Sequence, residues 1–387
     1  MGPIVRRITN RLTPGAAGGG LALLLTLLGP GCTPASPLHG AAAGNTAGMA
    51  AATSSPGSGG PDANKPVPRA ASGKESAASG SPAAADSPPA KPVDARSEAV
   101  VSLPLNPAWP ASADGRRYPL VPADPTRLAA LLAGVEEALR SAKTPAAQRP
   151  ALGHQQQVIY RVLGHRTALA SQVRAQLPAQ WQRVFDLHLA ARKEFISMHS
   201  PSRRPTQVPA WRIIQPEPPE NLLRYYREAA AATGIPWQVL AAVNLVESGM
   251  GRIDGVSVAD AHGPMQFLPS TWAEPGIGNG GDIRDPRTAI HAAARYLVRR
   301  GGLKDIRRGL WGYNNSDAYG RGVLLYAQLL KEDPAAYTGL YHWQIHYAAA
   351  GGDLWLPQGT NQSRPVAVAE FLQRSPQSAP PPGSSGY

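Results

Sequence analysis

Glu247 is the single carboxylate in a stretch that is otherwise apolar. From Trp237 to Val246 the chain reads as a short helix opened by Pro236, a residue suited to the first helical positions. Val239, Leu240, Ala242, Val243, Leu245 and Val246 cover it on nearly every side, and a helix apolar all round is a buried one. Gly249 and Gly251 stop it. An apolar surround and the negative end of the helix dipole both disfavour an ionised Glu247. A carboxyl that keeps its proton near neutral pH is what a general acid requires; the bland alternative is a Glu at a solvated helix end. Downstream, Gly263-Pro264 makes a tight turn, and Met265-Gln266-Phe267 sets an amide between two apolar side chains, followed by Pro269-Ser270-Thr271-Trp272. An amide with a flat aromatic wall is what a sugar-binding cleft uses. A third group, Tyr313-Asn314-Asn315-Ser316, precedes the last helix of this region.

The elements that must position these groups follow from apolar spacing. A helix is expected over Pro219–Ala232, ended by Gly234, and another from Asp285-Pro286 to Arg300 with Ala289, Ile290, Ala293, Tyr296 and Leu297 on one face. A short helix over Ile306–Trp311 delivers Tyr313 and Asn314, and Ser316 or Asp317 caps a last helix to about Leu330. The expectation is an all-α domain over 219–332. Residues 118–200 read as a small helical unit of unassigned role: Asp124-Pro125 caps a helix through Leu139, and further helices fall near Gln155–Leu163, Thr167–Leu177 and Pro178–Met198. Residues 201–218 are a Pro-rich connector whose Trp211, Ile213 and Ile214 are expected to dock on a neighbour. Residues 333–358 form an extension packed on the domain, with a short strand in its alternating run and with His342 and His346 as exposed alternates. Residues 359–387 read as a disordered tail.

The three groups, in order and with Ala292-Ala293-Ala294-Arg295-Tyr296-Leu297 between the last two, resemble the lytic transglycosylase (SLT, lysozyme-like) domain family. The longer stretch from Pro178 to Pro357 is similar to cell-envelope lipoproteins of actinobacteria. The resemblance implies a mainly α, lysozyme-like catalytic domain acting on the bond between N-acetylmuramic acid and N-acetylglucosamine. It implies Glu247 as the sole acid/base: it protonates the glycosidic oxygen, then takes the proton of the C6 hydroxyl as a 1,6-anhydro ring closes, and no water enters. It implies Ser248, Ser257, Met265, Gln266, Tyr313 and Asn314 as sugar-site residues, with Tyr313 and Asn314 holding Glu247 or the substrate. Two rivals stand beside this reading. A goose-type lysozyme-like hydrolase would need a second carboxylate, for which Asp254 or Asp260 is available; a non-catalytic wall-binding lipoprotein would use the domain as a lectin.

The chain has 387 residues, net charge +12, 40 Gly and 40 Pro. The basic balance suits anionic partners, and no nucleic-acid motif accompanies it. Arg6, Arg7 and Arg11 precede the apolar run Leu21 to Leu28 and then Gly29-Pro30-Gly31-Cys32, the pattern of a secretory leader over 1–31. Cys32 is the only cysteine, so it has no intrachain disulfide partner, and its place resembles a lipoprotein lipidation site, with Gly29 where that pattern has Leu. Residues 32–117 are an Ala/Pro/Ser/Gly-rich linker too poor in large apolar residues to fold, a coil of about 85 residues spanning roughly 50 Å. The expected place is the outer face of the cytoplasmic membrane, with peptidoglycan as partner and the helical unit open to a protein partner. Histidines 154, 165, 188 and 199 show no ligand spacing; no metal and no cofactor are expected.

Overall fold

A proline in the first turn, or an Asp or Ser at the cap, marks several helix starts in this chain, and the structure places helices at those marks. The computed structural model describes residues 101–199, 204–350 and 352–379, so the leader, Cys32 and most of the linker lie outside the described residues. Four helices come first: α1 Pro125–Arg140, α2 Arg149–His165, α3 Thr167–Gln176 and α4 Ala179–Ser197. Two short strands, β1 Gln207–Val208 and β2 Trp211–Ile213, lead to α5 Pro219–Thr233 and α6 Trp237–Ser248. Then come β3 Ile253–Gly255, α7 Pro269–Trp272, α8 Pro286–Arg299, α9 Ile306–Tyr313 and α10 Asp317–Glu332. The chain finishes with α11 Ala336–Tyr341, β4 Ile345–Ala349, β5 Gly352–Leu356, β6 Val366–Ala367 and α12 Val368–Arg374. The protein is mainly helical, as the spacing predicted.

Caps fix the starts. Asp124 accepts the Arg127 N–H at 2.8 Å before α1, and Asp285 accepts the Thr288 N–H at 2.7 Å before α8. Asp305 caps α9 through the Arg307 N–H and Ser316 caps α10 through the Tyr319 N–H. Each satisfies an amide that would otherwise be orphaned in the first turn.

The alternating run of 333–358 does give a strand, β4, in a local hairpin with β5, whereas β1, β2, β3 and β6 could not be read from local pattern because each pairs with a distant partner. All three pairs are antiparallel: β2 with β3, β4 with β5, and β1 with β6. The connector is thus part of the fold, with Trp211 and Ile213 buried in the core and Ile214 exposed instead of docked. The expected disordered tail differs most. Its first part turns back as β6 and α12, and Phe371 is fully buried, because an apolar Val366, Val368 and Phe371 set finds the strand β1 to close against. His346 is also corrected. The run does alternate, but β4 is buried on both faces, so His346 is interior.

One core runs through most of these elements. Val184, Leu187, Ala191 and Phe195 of α4 share it with residues of α5, α6, α8 and α10. A Cβ at Gly322 of α10 would sit 2.4 Å from the Phe195 ring, so α4 and α10 approach as closely as a glycine allows. The helical unit is packed onto the following domain, not tethered to it. Residues 101–117 extend that packing, since Val101 and Leu103 lie against Val135, Leu139 and Leu152.

Candidate active site

Helix α6 is apolar because every face of it meets protein: all residues from Val239 to Ser248 are buried, and Glu247 is 0 % exposed. The helix includes Glu247 and Ser248 and then reverses in a left-handed turn, with φ of +63° at Gly249, +62° at Met250 and +88° at Gly251. Glycine accepts this freely; at Gly249 it is required twice over, because a Cβ there would meet Ile345 Cδ1 of β4 at 2.6 Å. The turn sends the chain away and leaves Glu247 at the carbonyl end of its helix.

Four hydrogen bonds close a ring of elements around that carboxyl. Ser248 Oγ donates to the Pro264 carbonyl at 2.5 Å and accepts the Gly251 N–H at 2.9 Å. Tyr313, at the end of α9, donates its hydroxyl to the Met265 carbonyl at 2.7 Å. Tyr319, in the first turn of α10, donates its hydroxyl to Glu247 Oε1 at 2.8 Å. Behind the ring, Asn244 Nδ2 reaches the same Pro264 carbonyl at 2.7 Å, and Tyr226 donates to Asn244 Oδ1 at 2.6 Å. The Gly263–Gln266 loop, the ends of α6 and α9 and the start of α10 are therefore positioned relative to one another.

Burial pushes the Tyr319 hydroxyl well above its ordinary range, and the Glu247 charge beside it and their hydrogen bond act in the same direction. Tyr313 is raised in the same way, by burial first and the Glu247 charge next. Both stay protonated donors. The protein thus offers Glu247 a fixed, neutral hydrogen-bond donor.

The sequence-predicted residues divide by what their polar atoms do. Gln266 sits at φ +49°, its Nε2 bound to the Gly263 carbonyl at 2.8 Å and its buried Oε1 without a partner. Asn314 Nδ2 is likewise buried and without a partner. An orphaned acceptor and an orphaned donor in one site are what a ligand rich in hydroxyls and amides would satisfy. Ser248 differs from the expectation of a sugar ligand, since its hydroxyl is engaged as a strut between α6 and the loop. Met265 is fully buried and contributes its carbonyl to Tyr313. Tyr313 donates to the Met265 carbonyl of the loop, and Tyr319, a residue that does hold Glu247, was missed; its one sequence signal is its place three residues after the capping Ser316. Ser257 Oγ accepts the Ala259 and Ala261 N–H groups and so ties its own loop.

Neither candidate second carboxylate lies in a buried setting like that of Glu247. Asp254 is paired with Arg212 across β2 and β3. Asp260 is paired with His262 at 3.0 Å, and its side chain is 73 % exposed. Among the described residues no group of three or more His, Cys, Asp or Glu could hold a metal ion.

Compared with known proteins, residues 224–321 match the model of the transglycosylase SLT domain. The match starts within α5 and ends within α10, and it spans a quarter of the chain. No curated protein and no solved structure matches.

Proposed function

Residues 224–321 being a transglycosylase SLT domain, a lysozyme-like module that acts on the glycan strands of cell-envelope peptidoglycan, we propose that this chain is a lytic transglycosylase with Glu247 as its sole acid/base. It cleaves the bond from N-acetylmuramic acid to N-acetylglucosamine and leaves a 1,6-anhydro end, in cell-wall remodelling. The observation that carries the reading is the Tyr319–Glu247 hydrogen bond at a fully buried carboxyl, with Asp254 and Asp260 engaged elsewhere.

The chemistry follows from that arrangement. With Oε1 accepting from Tyr319, Glu247 as general acid gives its proton to the glycosidic oxygen as the bond to the muramic acid C1 breaks. The carboxylate left behind is stabilised by the same tyrosine. It then takes the proton of the C6 hydroxyl, whose oxygen bonds to C1. Water exclusion favours ring closure over hydrolysis, and the burial of the site supports exclusion. Gln266 Oε1 and Asn314 Nδ2 bind the sugar's amide and hydroxyl groups, Met265 shapes the wall, and Ser257 borders it.

Mass analysis of products from purified peptidoglycan tests the reading. Products lighter by one water and lacking a reducing end, abolished by Glu247→Gln, are expected. Reducing-end products would establish hydrolysis in their place and make Asp254 and Asp260 the residues to mutate. Binding with no product in the unaltered chain would leave the lectin reading.

We further propose export and lipid anchoring through Cys32, on the strength of the basic-apolar-small leader pattern. Among the described residues no helix is long and apolar enough to cross a membrane. Cys32→Ser is expected to move the protein from the membrane fraction to the soluble fraction after a high-salt wash; unchanged fractionation removes the anchor.

A further inference from the structure

Helix α9 has two faces of opposite character. One carries Leu310 and Tyr313 into the core. The other projects Arg307, Arg308 and Trp311 into solvent, and the loop that enters the helix adds Leu303 and Lys304. Leu303 is 57 % exposed and Trp311 48 % exposed; they are two of only five large hydrophobic side chains exposed among the described residues. Both lie in the segment that carries the exposed cations Lys304, Arg307 and Arg308.

The cations are also unusual. Most arginines near this part of the surface are engaged: Arg287 with Glu228, Arg299 with Glu274, and Arg295 with the carbonyls of Gly276 and Ile277. The side chains of Lys304, Arg307 and Arg308 have no carboxylate partner among the described residues. The one acid of the segment, Asp305, accepts the Arg307 backbone N–H as helix cap. The ridge is held firmly, because a Cβ at Gly309 would meet Gly302 Cα at 2.8 Å and a Cβ at Gly312 would meet the Arg300 side chain at 2.8 Å. The loop and the helix are therefore closely packed against each other.

We propose that the Leu303–Trp311 ridge is a docking face for an anionic phospholipid surface. A membrane interface takes Trp at the headgroup level and Leu just below it, while Lys and Arg pair with the phosphates. The aliphatic Leu303 distinguishes this partner from a glycan or an anionic wall polymer, neither of which has an apolar layer to receive it. The opposite face of the same helix ends at Tyr313, which braces the Gly263–Gln266 loop. Docking thus fixes how the catalytic ring is presented relative to the membrane plane. A face of this size binds weakly and reversibly by itself.

Vesicle sedimentation tests it, using the full chain with Cys32→Ser and with Leu23→Ser, Leu24→Ser and Leu25→Ser, so that the first residues neither insert nor carry lipid. The probes are phosphatidylcholine vesicles with and without phosphatidylglycerol. Binding that requires phosphatidylglycerol and weakens with salt is expected. Lys304→Ser/Arg307→Ser/Arg308→Ser should lower the partition coefficient by roughly fivefold per cation removed. Leu303→Ser/Trp311→Ser, which leaves the charge unchanged, should lower it at least tenfold. Retention of binding by the apolar double variant would overturn the proposal and reduce the effect to the chain's general positive charge. Absence of vesicle binding, with retention on purified cell wall lost in the charge variant, would overturn it in favour of an anionic polymer. A circular-dichroism melt matching the parent shows that each variant is folded.

Discussion

Tyr319 is the residue whose removal separates the hydrogen bond from the carboxyl it serves. Tyr319→Phe deletes one oxygen from a fully buried ring and leaves Glu247 Oε1 without that donor. Hydrogen bonds to charged groups are worth about 1.5–3 kcal/mol. Turnover is therefore expected to fall by roughly ten- to hundredfold, with KM little changed because the donor touches the acid and not the sugar. Steady-state kinetics on soluble glycan fragments reads both; an unchanged kcat would remove Tyr319 from the mechanism. Glu247 itself was legible in the sequence because it is the only charge in an apolar helix. Tyr319 was not, because nothing local marks a tyrosine on α10 as facing a carboxyl seventy-two residues earlier in the chain. Ser248 was legible as an actor but not in its part, since adjacency to Glu247 does not say which way a hydroxyl points.

At the scale of elements, the last turn of α6 is pressed from outside by β4. Gly249→Ala would place a methyl against Ile345 Cδ1 in a left-handed backbone. A loss of about 2–4 kcal/mol is expected from the combined strain and overpacking, read as a lower denaturation midpoint; a midpoint equal to the parent would show that β4 yields. The hairpin of β4 and β5 is joined to α2 through buried polar groups. His154 and His346 meet Nε2 to Nε2 at 3.1 Å, and His346 Nδ1 lies 3.3 Å from Asp353, which Arg161 also pairs. Arg161 holds the Asp353 carboxyl well below the ordinary carboxylate range, against the opposing effect of burial. Burial, helped by Arg161, lowers His346 from 6.5 to about 4, with Asp353 opposing. The unfolded chain then binds a proton that the folded chain refuses, so stability is fully present above pH 6.5 and declines as pH falls toward 4. His165, lowered to about 4, and His342, lowered to about 3, both chiefly by burial, add in the same direction. Melting temperature measured across that window should fall with acid, and His346→Gln should make the fall shallower. An identical slope in the variant would place the acid sensitivity elsewhere. Helices with apolar spacing and caps of their own, such as α1, α8 and α10, were legible because those signals are local; α11, α12 and the two- and three-residue strands were not, since elements so short exist only through their partners.

Across the whole molecule, the SLT match stops short of what the core requires. Helix α4 supplies Phe195 against Gly322 and Tyr326 of α10, the helix that also carries Tyr319. A chain lacking residues 101–199 would expose that face, and it is expected to aggregate or melt well below the intact protein. A truncated chain with the parent's melting temperature and activity would show that the helical unit is dispensable. Composition and spacing revealed the unit but not its attachment, because an apolar helix face does not name its partner. Closure of the fold comes later still. β6 pairs with β1, Arg212 bridges to Asn361, and Phe371 is seated in the core, although the last residue of the catalytic ring is 319. A chain made from its N-terminus onward has every residue of the ring around Glu247 in hand while some fifty residues of the closing strap are still unmade. Until that strap is made, β1 has no strand to pair with and the seat of Phe371 in the core stays open.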